Sequence, residues 1–285
     1  MGNDVRVQVD GRVLMLSNLD KVLYPRTGTT KGEVLDYYAR IAPRMLPYLR
    51  DRVVTRVRWP DGVQEQRFFE KNAPANLPSW IRVVELPEDG PEGGLRMPVV
   101  DDVAALTWMA NMAALEFHVH QWRLGDDGGP SRSDRVVVDL DPGEPAGLHE
   151  CCRVALLVRD RLAEFGAEPV PVLSGSKGVH LYVDLPEPLP AEEIATRAKA
   201  IANELTKARP DLVTATMAKE RRRDKVFFDW SQNNAAKTTI CPFSLRGRDR
   251  PTVAMPVGWG EVEAGAEDPF ALDQMDFAEA LRRHG

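Results

Sequence analysis

The stretch RVVVDLDPG, residues 135–143, decides how this chain is read. Three consecutive valines favour an extended backbone, because branched Cβ atoms pack well on a pleated surface. Side chains alternate along a strand, so Asp139 and Asp141 share one face while Leu140 turns to the core. Pro142 and Gly143 end the run and place the two carboxylates at a sheet rim. Like charges held this close favour a divalent cation between them, and hard oxygen ligands suit Mg²⁺ or Mn²⁺. A helix N-cap or a surface turn accommodates an Asp-x-Asp equally well, so the pair alone leaves these readings open.

A third carboxylate is available in KVFFDW, residues 225–230. Val226, Phe228 and Trp230 share one strand face, with Phe227 and Asp229 on the other. Asp229 would complete a three-carboxylate site able to hold two metals, the arrangement used for in-line displacement at phosphorus. A strand-end salt bridge from Asp229 to Arg222 or Lys225 is the competing reading.

The segment SGSKGVHLYVDL, residues 174–185, has the parts of a phosphate-binding loop. Gly175 and Gly178 permit a tight turn and close approach, Ser174 and Ser176 offer hydroxyls, and Lys177 offers a cation. The GxxxxGK[ST] spacing is absent, which disfavours P-loop NTPase chemistry. In the strand that follows, Leu181, Val183 and Leu185 are expected inside, with His180 facing out beside Tyr182 and able to donate to triphosphate oxygens.

Lys31 opens a helix expected over TKGEVLDYYARIAPRMLPYL, residues 30–49, with Thr30 and Glu33 as a capping box and Pro43 as a point of weakness where it bends or splits. A cation in a first helical turn is unfavourable unless an anion binds there, with Lys31 and Lys21 as clamps. Phe68 and Phe69 are neighbours in a strand, so one is expected in the core and the other exposed as a base-stacking platform. His118 and His120 share a face near Glu116 and Trp122, which favours a structural or substrate-orienting role over a metal site.

The rest of the chain sets the frame. Hairpins are expected over residues 4–16 and 53–71, and an apolar helix over residues 103–117. Strands are expected at 135–140, 170–173, 179–185 and 225–230, with helices at 149–165 and 191–208. Short strands mixed with helices point to an α+β class. The polar turn GDDGGPSRSD, residues 125–134, divides a possible N-terminal part, 1–130, from a catalytic part, 131–285, of one domain. The chain has 285 residues, a net charge of −6 and three cysteines, so neither a disulfide framework nor a Cys-rich zinc site is indicated. Positive charge gathers between Met217 and Arg250, where Lys219, Arg221, Arg222, Arg223, Lys225, Lys237, Arg246, Arg248 and Arg250 outnumber the acids, suggesting a localised polyanion site. The longest mostly apolar segment, residues 103–115, falls short of the ~20 residues of a membrane helix. No secretory signal is evident, which fits a reduced, cytoplasmic and nucleoid-associated protein without a membrane partner.

In order, Asp-x-Asp, Ser-x-Ser-Lys-Gly-x-His and a distant Asp resemble the three motifs of the archaeo-eukaryotic primase superfamily. NLDKVLYP, TGTTKGEVLDYY, FFEKN, LEFHVHQWR, VVVDLDPGE, SGSKGVHLYV, KVFFDWSQNN, KTTICPFSLRGR and PTVAMPV together are similar to the polymerase domain of bacterial ATP-dependent DNA ligase D, which works with Ku. The resemblance implies an RRM-like catalytic sheet packed with a second sheet and flanking helices. It implies a template-directed nucleotidyltransferase adding NTPs or dNTPs, ribonucleotides by preference, to 3′-OH ends at DNA breaks or short gaps. Two Mn²⁺ or Mg²⁺ ions would be held by Asp139, Asp141 and Asp229. Ser174, Lys177, His180 and Arg246, with His118, would contact the nucleotide, and Ser176 belongs to the same loop. Lys21 and Lys31 would hold a downstream 5′-phosphate, Phe68 and Phe69 would stack on the template, and Arg222 would handle the primer end. A metal-dependent nuclease and a non-catalytic end-bridging module are the alternatives. No ligase or nuclease motif accompanies the domain, so the chain is expected to be either an excised domain or a stand-alone relative.

Overall fold

In the computed structural model the valine run lies inside a 13-residue strand, Pro130–Pro142. Val137, Val138 and Leu140 are buried, as befits a central strand covered on both faces. The structure describes residues 4–91 and 93–285; residues 1–3 and Glu92 lie outside the described residues.

Along the chain the elements are β1 (Val5–Val9), β2 (Arg12–Leu16), β3 (Val22–Tyr24), β4 (Thr29–Thr30), α1 (Lys31–Leu49), β5 (Val54–Arg58), β6 (Phe68–Glu70), β7 (Val83–Glu85), β8 (Arg96–Pro98), α2 (Val103–Asn111), β9 (Ala114–Val119) and β10 (Trp122–Leu124). There follow β11 (Pro130–Pro142), α3 (Leu148–Ala163), β12 (Val170–Leu173), β13 (Val179–Leu189), α4 (Ala191–Ala208), β14 (Val213–Thr214), β15 (Val226–Asp229), β16 (Thr239–Ile240), β17 (Met255–Pro256), α5 (Trp259–Glu267) and α6 (Phe277–His284). The chain divides into two compact units. One takes the residues up to Ser131 with Ile240–Ala254 and Met275–Gly285; the other takes Arg132–Thr239 and Met255–Gln274. The expected catalytic part, 131–285, is therefore not one continuous piece: its last third alternates between the units.

The second unit is built on a sheet in the order β14-β15-β11-β13-β12-β17, antiparallel except for β14 on β15. Helix α3 packs on β13, β15 and α5, and α4 packs on β14. The first unit has an antiparallel β9-β5-β6 sheet, with α1 packed against α2 and α6. The hairpin β1-β2 turns at Asp10 and Gly11, both at positive φ, as the Asp-Gly signal demands.

Three expectations change. The apolar helix stops at Asn111; Ala113 takes φ 59° and the remaining residues form β9, because pairing with β5 outweighs an apolar periodicity that fits helix or strand. Helix α1 runs through both Pro43 and Pro47, held by the buried Tyr37, Ile41 and Met45 on its inner face. The polar turn is shorter than expected, since Pro130–Asp134 already belongs to β11.

Candidate active site

Register brings the motifs of the second unit together. Asp139 on β11 lies opposite Asp229 on β15 and opposite His180 on β13. Asp141 is two residues on, so the three carboxylates occupy one face of the sheet. Strand β15 meets β11 only from Asp139 to Pro142. Beyond it, buried Asn233 replaces the ladder: its Oδ1 accepts from Val137 N–H at 2.9 Å and its Nδ2 donates to Val137 O at 2.8 Å. That amide docks the turn after Asp229 on the central strand.

The three aspartates differ in their surroundings. Asp139 Oδ1 is buried and finds no hydrogen-bond donor among the described residues, although His180 Nε2 stands 3.4 Å away. Asp141 reaches solvent at the rim, yet desolvation, joined by the charges of Asp139 and Asp229, lifts its carboxyl to about 6 against the pull of His180 and Arg222. Asp229 accepts from Ser231 N–H at 2.9 Å and from its hydroxyl at 2.5 Å, and Lys237 Nζ lies 3.3 Å from its other oxygen. The expected alternatives for Asp229, ion pairs to Arg222 or Lys225, give way to this contact with Lys237.

The donor set suits a hard divalent cation, and the orphaned Asp139 oxygen is a place for one. Among the described residues, however, no three His, Cys, Asp or Glu side chains are gathered as a group that could hold a metal. The backbone register is in place while the Asp229 carboxylate is turned toward Ser231 and Lys237.

The SGSKG loop closes on itself. Ser174 Oγ accepts from the N–H groups of Ser176 at 3.2 Å and Gly178 at 3.1 Å, so the hydroxyl organises the loop from within. Gly175 sits at φ 68°. A Cβ on Gly178 would lie 2.0 Å from Leu140 O, so only glycine lets this loop rest on the segment between the two aspartates. Lys177 is exposed and pairs with Glu144 at 2.7 Å. His180, expected to face out, is buried with Tyr182, on the face of the sheet that it shares with Asp139.

Arg222 lies over the Phe227 ring at 3.6 Å and donates to Met217 O. Its segment is locked to the strand end: Gly143 N–H donates to Lys225 O at 2.8 Å, and a Cβ on Gly143 would lie 2.0 Å from Arg222 O.

In the first unit, buried Glu116 meets His118 Nε2 at 2.8 Å, Arg246 Nε at 3.3 Å and Gly247 N–H at 3.0 Å. Burial alone would raise its carboxyl, but the His118 hydrogen bond, the charge of Arg246 and the Gly247 amide hold it at about 2. His120 stacks on Trp122 instead. Phe68 and Phe69 are 41% and 59% exposed, so neither enters the core as one was expected to. The strand that carries them is braced by Glu70, which accepts from buried Arg56 at 3.1 Å and from Arg58 at 2.7 Å.

Lys31 and Lys21 depart from the expected clamp in one respect. The helix capping box forms, with Glu33 N–H donating to Thr30 Oγ1. Lys31 N–H and Gly32 N–H donate to Lys21 O and Leu19 O, both at 2.8 Å. The first amides of α1 are thus already satisfied, and an anion would be met by side chains. Lys31 Nζ is buried on Ser17 O at 2.6 Å, and burial, with Lys21 nearby, lowers it to about 8. Lys21 pairs with exposed Asp61 at 2.7 Å.

Sequence reading missed Asn233, Glu70, the pairing of Lys237 with Asp229 and the full role of Glu116, whose signals are single polar residues without spacing. The sequence model of the family described as "LigD, primase-polymerase domain" matches residues 30–285. The chain belongs to this family.

As a primase-polymerase domain it is a nucleotidyltransferase, and its α+β core is that of the family. It is 48% identical over 268 residues to "Multifunctional non-homologous end joining protein LigD" of Mycolicibacterium smegmatis, covering 94% of this chain and 34% of that protein. It is 46% identical over 273 residues to "Multifunctional non-homologous end joining DNA repair protein LigD" of Mycobacterium tuberculosis, covering 94% and 35%. The chain thus spans about a third of the length of these relatives. The solved "Polymerase Domain from Mycobacterium tuberculosis Ligase D in complex with DNA" superposes with a TM-score of 0.89 at 45% identity, covering 95% of this chain and 93% of that one. No helix among the described residues is long and apolar enough to cross a membrane.

Proposed function

We propose that this LigD primase-polymerase domain extends 3′-OH ends at DNA breaks or short gaps in end joining, taking NTPs in preference to dNTPs. The observation that carries the reading is the orphaned Asp139 oxygen, in register between Asp229 and His180. Asp139, Asp141 and Asp229 would hold two Mn²⁺ or Mg²⁺ ions. When bound, these supply charge for the attacking oxygen, the triphosphate and the leaving pyrophosphate. For this role Asp229 would give up its contact with Lys237. The SGSKG loop, through Ser176 and Lys177, receives the triphosphate; Ser174 shapes the loop and His180 orients Asp139. His118 and Arg246 contact the nucleotide, held in place by Glu116. Lys21 and Lys31 take a downstream 5′-phosphate, Phe68 and Phe69 stack on template bases, and Arg222 meets the primer end. Ku and a DNA ligase are the proposed partners, at DNA in the cytoplasm.

The test is a gap-filling assay on 5′-phosphorylated substrate, comparing NTPs with dNTPs in Mg²⁺ and Mn²⁺. NTP-dependent lengthening is expected from the parent and none from Asp139→Ala, which still binds DNA. Metal-dependent shortening without NTPs would establish the nuclease instead, and binding without either reaction the bridging module.

A further inference from the structure

The SGSKG loop is held from outside by one side chain that no motif announced. Gln274 Oε1 accepts from Gly175 N–H at 2.7 Å, and Gln274 Nε2 donates to Gly178 O at 3.1 Å. An N–H on one side and a carbonyl on the other leave the amide a single orientation, with each of its ends matched to one backbone group. The two glycines flank Ser176 and Lys177, so the amide spans the base of the part of the loop that would face a ligand.

Gln274 is itself anchored. Its own N–H donates to Asp273 Oδ1 at 2.7 Å. Neighbouring Leu272 is buried, packed so closely on α5 that a Cβ on Gly265 would lie 2.9 Å from it. The loop is thus clamped twice. Ser174 Oγ gathers the amides of Ser176 and Gly178 from inside, and Gln274 fixes Gly175 and Gly178 from outside. Without the outer clamp a loop built on two glycines has many accessible conformations, and only a few of them present the Lys177 ammonium and the Ser176 hydroxyl together.

We propose that Gln274 is a positioning residue that pre-shapes the SGSKG loop for the triphosphate of the incoming nucleotide. This rests on the reading of that loop as the triphosphate site. The side chain need not touch the nucleotide; its effect is to remove the ordering cost from the binding step, so it governs KM more than kcat.

The experiment compares the parent, Gln274→Met, Gln274→Glu and Lys177→Ala in NTP-dependent primer extension, with thermal melting and backbone amide exchange alongside. Gln274→Met keeps the shape and loses both bonds; it is expected to raise the KM for NTP about tenfold, with kcat within about threefold of the parent. Melting should stay near that of the parent while amide exchange at Gly175 accelerates. Gln274→Glu keeps the acceptor for Gly175 but sets a carboxylate against Gly178 O, and is expected to raise KM at least as far. Lys177→Ala tests the underlying reading and should raise KM as well. A raised KM in Lys177→Ala with an unchanged KM in both Gln274 variants overturns the positioning role while leaving the loop reading intact. An unchanged KM in Lys177→Ala, or a parent without NTP-dependent extension, removes the loop reading and the proposal with it. A KM effect that appears only with a matching fall in melting temperature also overturns it, since that is a structural role.

Discussion

Asp139 and Asp229 are cross-strand partners, a β11 carboxylate set directly opposite a β15 carboxylate in a buried stretch of sheet. Two like charges in facing positions weaken a sheet, so this pairing costs stability that a catalytic role can justify. Asp139→Asn is expected to melt higher than the parent in chelator, by ~2 °C or more. If the pair holds a metal as proposed, added Mn²⁺ should raise the melting temperature of the parent and not that of this variant. Equal melting of both proteins, with and without Mn²⁺, would contradict a metal role for this pair.

Lys31 is held at about 8 by burial and by Lys21, so its proton is lost within a workable range. The folded chain binds fewer protons there than the unfolded chain, whose lysine titrates near 10.5. Stability on this account rises with pH between about 8 and 10.5. If Lys31 takes a 5′-phosphate as proposed, recognition runs the other way, because only the protonated amine attracts the anion. Preference for a 5′-phosphorylated gap over a 5′-hydroxyl gap should be full below pH 8 and decline above it. Binding measured from pH 7 to 10 checks this, and Lys31→Met should show little preference at any pH.

Glu116 gives the opposite pH signature. Its carboxyl is at about 2 when folded, against an ordinary 4.5. The stability it contributes is fully present above pH 4.5 and is lost as pH falls toward 2. Denaturant unfolding of Glu116→Gln should therefore show a shallower acid limb than the parent. At neutral pH the variant should be destabilised by about 2 kcal/mol, since Arg246 and His118 lose a buried charged partner.

Phe68 and Phe69 are exposed, so their removal should hardly affect folding, within ~0.5 kcal/mol. If they stack on template bases, each alanine should weaken binding to a gapped duplex with an unpaired template by ~1–3 kcal/mol. Fluorescence binding to gapped and fully paired duplexes distinguishes stacking from a general loss of affinity.

Gly178→Ala forces a Cβ to within 2.0 Å of Leu140 O. The contact is with backbone, which cannot rotate away, so a loss of ~3 kcal/mol or more is expected in urea unfolding. A cost below 1 kcal/mol would show that the loop does not sit on the aspartate strand as described.

Much of this was legible in the chain. Strand β12 and helix α4 match their expected limits, and the capping box of Thr30 and Glu33 forms. Local chemistry decides such features: a cap, a β-branched run or an Asp-Gly turn acts within a few residues. By the same token, the alternation that put Asp139 and Asp141 on one face was certain once the segment was a strand.

What only the tertiary structure decided is who stands next to whom. Periodicity could not say that residues 114–119 pair with β5 rather than extend α2, nor that His180 lies buried opposite Asp139. It gave no sign that Asn233 takes over the ladder of Val137, that Glu70 braces the phenylalanines, or that Gln274 grips the glycine loop. Each is a single polar side chain meeting a partner far along the chain, and hydrogen bonds between distant segments leave no spacing to read. The sequence by itself determined the chemistry available, three carboxylates, a glycine loop and lysines. The fold decided their register, because only packing of the strands sets Asp229 and His180 on either side of Asp139.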